Sequence, residues 1–299
     1  MRTLKYLILS MRPKQWTKNL LVFLPLIFTI NLYWKPFDPA QVAPVIAKTA
    51  VAFLLFCLIT GGAYIINDLV DIERDKEHPE KRFRPLPSGQ LSTAYAGITA
   101  LLLLIVGLAL SFAFSPWLGI VASLYLLLML AYDFVLKNIV IIDVFTIAIG
   151  FVLRAVAGAV AIDVPVSPWL YTCTLLGALF LGLGKRRHEL ITLEDKAANH
   201  RGILLEYTPR LLEDMIAVVT SSTIIAYSLY TFSAPNLPQN HAMMLTIPFV
   251  LYGVFRYLYL IHSKNLGGSP EEILLTDTPL IIDILLWAVA ASVILFIYR

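Results

Sequence analysis

Apolar stretches follow one another along almost the whole chain, at residues 20–33, 44–66, 91–114, 116–133, 139–162, 166–184, 213–233, 242–262 and 279–298. A hydrocarbon core of about 30 Å takes roughly 20 apolar residues per helix, so the pattern predicts an all-α polytopic membrane protein with nine transmembrane helices. The first stretch is short and carries Pro25. It lacks a small-residue cleavage site after Lys18 and is followed by an equally apolar stretch, so it is expected to be retained as a span. Polar residues gather in two long segments, 67–90 and 185–212, whereas connections such as Ser115-Pro116 and Pro235-Asn236-Leu237-Pro238 read as plain turns. No composition shift divides the chain, so residues 1–299 read as one integral membrane domain with the two polar segments as its caps.

Composition agrees with this pattern. The chain is 59% hydrophobic and 14% charged with a mean hydropathy of +0.77, against about 25% charged residues in soluble domains. Lipid is the expected surrounding, and no nucleic-acid partner is expected. With nine spans, Lys35, Lys48 and Arg299 fall on one side, Arg154 and Arg256 lie within helices, and every other Lys and Arg falls on the opposite side. The positive-inside rule then puts the N-terminus and both polar segments on the cytoplasmic face of the cell membrane. Cys57 and Cys173 sit inside apolar stretches and suggest neither a disulfide nor a metal site.

Candidate chemistry concentrates after the second stretch. Asn67, Asp71 and Asp75 stand at i, i+4 and i+8, with Tyr64 about one turn earlier. On a helix that continues past the bilayer these groups share one face, and Asp68 lies about 100° around it. Magnesium takes hard oxygen ligands and is usually held by one or two carboxylates plus substrate phosphates. The run therefore reads as a catalytic Mg2+ and diphosphate site formed by Asn67, Asp68, Asp71 and Asp75, with Asn67, Asp71 and Asp75 as metal ligands. The alternative is a solvated helix end in which Glu73, Arg74 and Lys76 pair with neighbours. Against it, Asn67 and Asp68 directly follow Ala63-Tyr64-Ile65-Ile66 at the membrane boundary, where desolvating a carboxylate is costly.

In this setting Asn-Asp-x-x-Asp-x-x-x-Asp at the end of the second helix is similar to the first signature of the UbiA superfamily of intramembrane prenyltransferases. The run that follows, Lys76-Glu77-His78-Pro79-Glu80-Lys81-Arg82-Phe83-Arg84-Pro85-Leu86-Pro87-Ser88-Gly89, looks like the stretch which that superfamily sets beside the diphosphate. The resemblance implies nine helices around a central pocket open to the cytoplasmic side. Superfamily members commonly carry a second aspartate motif after the fourth helix, often with two Asp four apart. Here Asp133 and Asp143 are ten apart, so a second metal is not expected and Lys137 is expected to neutralise phosphate directly. Tyr132-Asp133 also echoes Tyr64 and Asn67-Asp68 at the end of the second stretch.

Arg154 lies eleven residues beyond Asp143, about 16.5 Å along a helix and only about 20° around it. An arginine at that depth marks a functional site by default, here a holder for the phosphate of a membrane lipid, the alternative being a structural ion pair. Lys185-Arg186-Arg187 then opens the second polar segment, where positive-inside anchoring is the competing explanation. Together with Lys18, Lys76, Lys81, Arg82, Arg84 and Lys137, these cations exceed what one prenyl diphosphate and its magnesium require, and they imply a second anionic group. The strings from Gly150 to Gly158 and from Gly184 to Leu190, with Arg12-Pro13-Lys14-Gln15-Trp16-Thr17-Lys18-Asn19, resemble one branch of the superfamily, the decaprenyl-phosphate phosphoribosyltransferases. That resemblance implies Mg2+-dependent transfer of 5-phosphoribose from phosphoribosyl diphosphate to a polyprenyl phosphate. The substrate-binding residues would be Lys18, Tyr64, Lys76, Lys81, Arg82, Arg84, Lys137, Asp143, Arg154, Lys185, Arg186 and Arg187. His78 and His188 are expected to be loop residues and not catalysts. The alternatives are prenyl transfer to an aromatic or other small acceptor and, outside enzymes, a lipid transporter.

Overall fold

Prolines and short polar side chains set where the helices begin. Asp38, Thr208 and Asp277 each cap a helix, accepting the N–H groups of Ala40, Leu211 and Leu280, and each is followed by a proline in the first turn, where its missing N–H breaks no bond. The computed structural model describes residues 2–77, 81–193, 202–264 and 266–299. They form α1 (Arg2–Ser10), a 3-10 segment (Pro13–Phe23) running into α2 (Leu24–Phe28), α3 (Pro39–Val70), α4 (Ile72–Glu77), α5 (Thr93–Phe114), α6 (Pro116–Phe134), α7 (Ile142–Ala161), α8 (Pro168–Leu193), α9 (Pro209–Ser233), α10 (Ile247–Ser263), α11 (Pro270–Thr276) and α12 (Thr278–Tyr298).

The all-α polytopic architecture is present, with one correction among the nine expected spans, the first. Among the described residues seven helices are long and apolar enough to cross a bilayer: α3, α5, α6, α7, α9, α10 with its lead-in from Ala242, and α12. The expected span 20–33 is instead the lower half of the 3-10 segment, the five-residue α2 and an irregular stretch after it. The expected span 166–184 belongs to α8, which has the length but is made more polar by Tyr171, Thr172, Thr174 and Lys185. α8 also continues to Leu193, so Lys185, Arg186, Arg187 and His188 are helical and do not begin a loop. Residues 78–80 and 194–201, which belong to the expected caps and include His78, lie outside the described residues.

α7 is the most enclosed of the spans. Its Gly150, Ala155, Ala157, Gly158, Ala159 and Ala161 are all buried, small residues that let neighbouring backbones approach. At Gly158 an added Cβ would lie 2.0 Å from the carbonyl oxygen of Val22, so the 3-10 segment rests its backbone directly on α7. Asn19 and Val22 are its buried positions, and Pro25 of α2 continues the same interval, which matches three residues per turn.

Candidate active site

The acidic run spans the junction of α3 and α4. The helix breaks at Asp71, yet the Asp71 N–H donates to the Asn67 carbonyl at 3.0 Å and the Asp75 N–H to the Asp71 carbonyl at 2.8 Å. The i, i+4, i+8 register therefore survives the break. The Asn67 amide nitrogen lies 3.5 Å from an Asp71 carboxylate oxygen and donates at 2.6 Å to Asp133, at the end of α6. Asp133 thus joins the first acidic group, which its distance from Asp143 in sequence does not suggest.

Cations close around these carboxylates. Lys137 Nζ lies 2.7 and 2.8 Å from the two oxygens of Asp71. Arg84 bridges Asp68 at 3.1 Å and Asp75 at 2.7 Å. Arg12 pairs with Asp68 and lies over the Tyr64 ring, 5.1 Å from its centroid. Lys81 and Arg74 stand 3.8 Å from Asp75 and Asp71. Asp68, Asp75, Asp133 and Lys137 are buried. Burial and the Arg12 charge lower the Arg84 pKa, while Asp68 and Asp75 pull it back up.

The oxygen-only donors suit magnesium. Among the described residues no three His, Cys, Asp or Glu side chains converge tightly enough to hold a metal by themselves. A metal here would need oxygens from a substrate as well, the usual arrangement for magnesium between one or two carboxylates and phosphate. The expected ligands Asn67, Asp71 and Asp75 do share the site, but each carboxylate is matched by a cation.

A second cluster forms where α7 meets α8. Asp143 is fully buried and receives Arg186 Nε at 2.6 Å and the Tyr207 hydroxyl at 2.8 Å. Arg186 also pairs with Glu189 and points toward the Tyr132 hydroxyl at 3.4 Å. The Tyr207 hydroxyl accepts the Ile141 N–H at 2.7 Å, and Ile141 holds a left-handed backbone at φ 70°, a strained conformation for a β-branched residue. Burial, then the Asp143 carboxylate, raise the Tyr207 pKa and keep its proton in place. Consecutive residues Tyr132 and Asp133 therefore join the two clusters, one touching Arg186 and the other Asn67.

Several expected ligands have other partners. Lys76 pairs with Glu73 at the surface, Arg82 lies over the Phe83 ring, and Arg187 pairs with Glu213 on α9. His188 packs against Gly267 and Gly268. Arg154 is buried, and its guanidinium donates to Asn19 at 2.8 Å, the Gly150 carbonyl at 2.9 Å and the Tyr125 hydroxyl at 2.8 Å. It is a structural brace: Asn19 in turn donates to Thr60 at 3.2 Å, tying the 3-10 segment to α3 and α7. Arg154→Ala should destabilise the protein by about 3 kcal/mol, since charge-assisted bonds are lost and the Asn19 side-chain oxygen and the Tyr125 hydroxyl lose their donor. An unshifted melting temperature in detergent would count against the brace.

Beside the clusters lies an apolar cavity of about 960 Å³. Lys18, Leu21 and Leu24 line it from the first segment, Ile147 and Phe151 from α7, and Trp169, Cys173 and Gly177 from α8, with Tyr227 and Trp287 at its far wall. Ile147 and Phe151 follow Asp143 at intervals of four, so the cavity begins about one turn from the Asp143–Arg186 pair.

The pattern of the UbiA prenyltransferase family matches residues 21–271. The chain belongs to that family. It is 36% identical over 292 residues to the decaprenyl-phosphate phosphoribosyltransferase of Mycolicibacterium smegmatis, covering 94% of this chain and 89% of that protein. It is 32% identical over 287 residues to the enzyme of the same name from Corynebacterium glutamicum, covering 94% and 84%. The fold is that of a UbiA homolog from Archaeoglobus fulgidus bound to GPP and Mg2+, with a TM-score of 0.73 at 18% identity, covering 97% of this chain and 99% of that one. The family relationship agrees with the resemblance carried by Asn67 through Asp75. Arg12, Tyr132, Asp133, Glu189 and Tyr207 were not among the expected ligands, although the echo between Tyr132-Asp133 and Tyr64 to Asp68 was a signal for two of them.

Proposed function

We propose that this protein transfers 5-phosphoribose from phosphoribosyl diphosphate to a polyprenyl phosphate of the decaprenyl type and releases diphosphate. The observation that carries the reading is the pairing of two separate charged clusters with one long apolar cavity. Such a donor has a diphosphate at one end and a 5-phosphate at the other, and the acceptor is a phosphate on a hydrocarbon chain. The names of relatives sharing about a third of their sequence over nearly the whole chain support the same reaction.

In this reading Asn67, Asp68, Asp71, Asp75 and Asp133 face the donor diphosphate. Their four carboxylates face Arg12, Arg84, Lys137, Lys81 and Arg74, which leaves about one net positive charge, so a bound diphosphate calls for more. Mg2+ would supply it, through Asn67, Asp71 and Asp75, and would stabilise the leaving diphosphate. Lys137, Arg84 and Arg12 can turn from carboxylate to phosphate without leaving the site. Arg186 and Lys185 would hold the 5-phosphate. The bond from ribose C1 to the diphosphate oxygen breaks, its electrons leave with diphosphate, and an acceptor phosphate oxygen bonds to C1 from the opposite face. The acceptor is already an anion, so no general base is needed. The site would open to the cytoplasmic face, as the basic residues suggest by the positive-inside rule, and excluding water there would protect the reacting centre.

Protein in lipid nanodiscs supplied with ribose-labelled phosphoribosyl diphosphate and polyprenyl phosphate should yield lipid-extractable label. Chelation with EDTA should abolish it. Absence of labelled lipid with magnesium present, or consumption of a prenyl diphosphate under the same conditions, would overturn the reading.

A further inference from the structure

An eleven-residue 3-10 helix is unusual, because runs beyond three or four residues are disfavoured. The segment from Pro13 to Phe23 keeps that form, and the consequence lies in how its side chains sort. With three residues per turn, positions three apart eclipse one another. One row, Asn19, Val22 and Pro25, is buried against α3 and α7. A second row, Lys14, Thr17, Leu20 and Phe23, is exposed at Lys14 and Leu20, and its Thr17 and Leu20 also reach the apolar cavity. The third row is Arg12, Gln15, Lys18, Leu21 and Leu24. Gln15, Lys18 and Leu21 lie inside the 3-10 segment and form one straight ladder, with Arg12 at its N-cap and Leu24 at the first residue of α2 continuing it at either end.

That ladder changes character along its length. Arg12 at the top meets Asp68 and Tyr64 of the acidic cluster. Lys18 lies six residues on, about 12 Å along the axis, and it lines the apolar cavity together with Leu21 and Leu24 below it. The Arg12 backbone is left-handed, with φ 52° and ψ 65°; this turns the chain from α1 into the ladder. Gly158 and the Arg154–Asn19 bond fix the buried row, and so fix which way Lys18 faces.

We propose that this ladder is the seat of the lipid acceptor: Lys18 binds the acceptor phosphate, Leu21 and Leu24 receive the start of its hydrocarbon chain, and Arg12 contacts the donor diphosphate. The assignment rests on the phosphoribosyl-transfer reading for the donor, but its lipid half stands on the ladder and cavity alone. It sets acceptor and donor phosphates on one rail, with room for the ribose between them. It also gives Arg154 a positioning role, acting through Asn19 and not by touching the lipid.

The test is binding first and turnover second. Geranylgeranyl phosphate is titrated into the full-length protein in nanodiscs, followed by tryptophan fluorescence, since Trp169 and Trp287 line the cavity. Lys18→Ala should raise its Kd about ten- to a hundredfold, the worth of a charge-assisted hydrogen bond. Lys18→Arg should recover most of the affinity, and geranylgeraniol, which lacks the phosphate, should bind equally well to protein with or without Lys18. Lys14→Ala, at an exposed position of the second row, should change nothing. Should Lys18→Ala fail to fold, Lys18→Gln keeps the aliphatic stem and carries the same test. An unchanged Kd for geranylgeranyl phosphate in the Lys18 variants overturns the proposal. In turnover, Lys18→Ala should raise the KM for polyprenyl phosphate and spare that for phosphoribosyl diphosphate, with Arg12→Ala doing the reverse; a Lys18 effect on the donor KM alone also overturns it. If the wild-type protein makes no labelled lipid, the donor reading falls while the binding arm still decides the role of Lys18.

Discussion

Asp71→Asn should lower turnover by about 10²–10³-fold or more, the loss that follows when a group stabilising developing charge is removed. Asp71 is the one carboxylate of the acidic run that meets a cation through both oxygens, and that cation, Lys137, is itself buried. Two effects must be separated. Asparagine removes an anionic ligand from the proposed metal site, and it leaves Lys137 without its charge partner, which destabilises the fold. Asp71→Asn combined with Lys137→Met removes the second effect but also takes away a proposed phosphate-binding cation, so it serves as the control for stability. The double variant should regain the thermal stability lost by Asp71→Asn yet stay inactive at any magnesium concentration. A loss in the single variant that does not change with magnesium concentration, and is matched by its loss of thermal stability, would mean that Asp71 orders Lys137 and does not serve the metal.

The parts of this site that were legible in the sequence are those whose partners lie on the same helix. Asn67, Asp71 and Asp75 show their shared face through spacing alone, and the backbone hydrogen bonds across Asp71 preserve it. Lys137 was expected to neutralise phosphate because a second aspartate pair is missing from its segment; the structure pairs it with Asp71 from another helix. What was hidden depended on packing between helices. Asp133 and Asp143 look like one broken motif in sequence, but α6 ends against Asn67 while α7 begins against Arg186, so they serve different clusters. Tyr207 gave no local signal at all, being brought to Asp143 by the segment that leads into α9.

Arg154 and the first span are places where packing adds partners that a local rule does not see. A buried arginine on the Asp143 stripe reads as a phosphate holder, yet Asn19, Tyr125 and the Gly150 carbonyl occupy its guanidinium. The first apolar stretch reads as a membrane helix, yet its close seat on Gly158 and its Pro25 favour a 3-10 segment and a short helix. The two outcomes are linked, since the arginine braces the segment that replaced the helix.

Asp143→Ala should be the most damaging single change outside the acidic run. Asp143 and Arg186 are both almost wholly buried, and breaking a buried ion pair costs about 3–5 kcal/mol because the surviving charge has nowhere to go. Glu189 softens that loss only in part, because its side chain is 25% exposed and shares its charge with water. The substitution also strips Tyr207 of its acceptor, loosening the hydrogen bond that holds strained Ile141 at the start of α7. Loss of activity in Asp143→Ala would therefore say little about chemistry. Replacing the pair together, Asp143→Leu with Arg186→Met, removes both charges and should return the melting temperature close to that of the wild type, as apolar replacements of buried pairs often do. If Arg186 holds the donor's 5-phosphate, this stable double variant should still lose about a hundredfold or more in kcat/KM for phosphoribosyl diphosphate, while its affinity for geranylgeranyl phosphate stays unchanged. Recovery of turnover together with stability would reduce Arg186 to a structural partner of Asp143 and leave the 5-phosphate to Lys185.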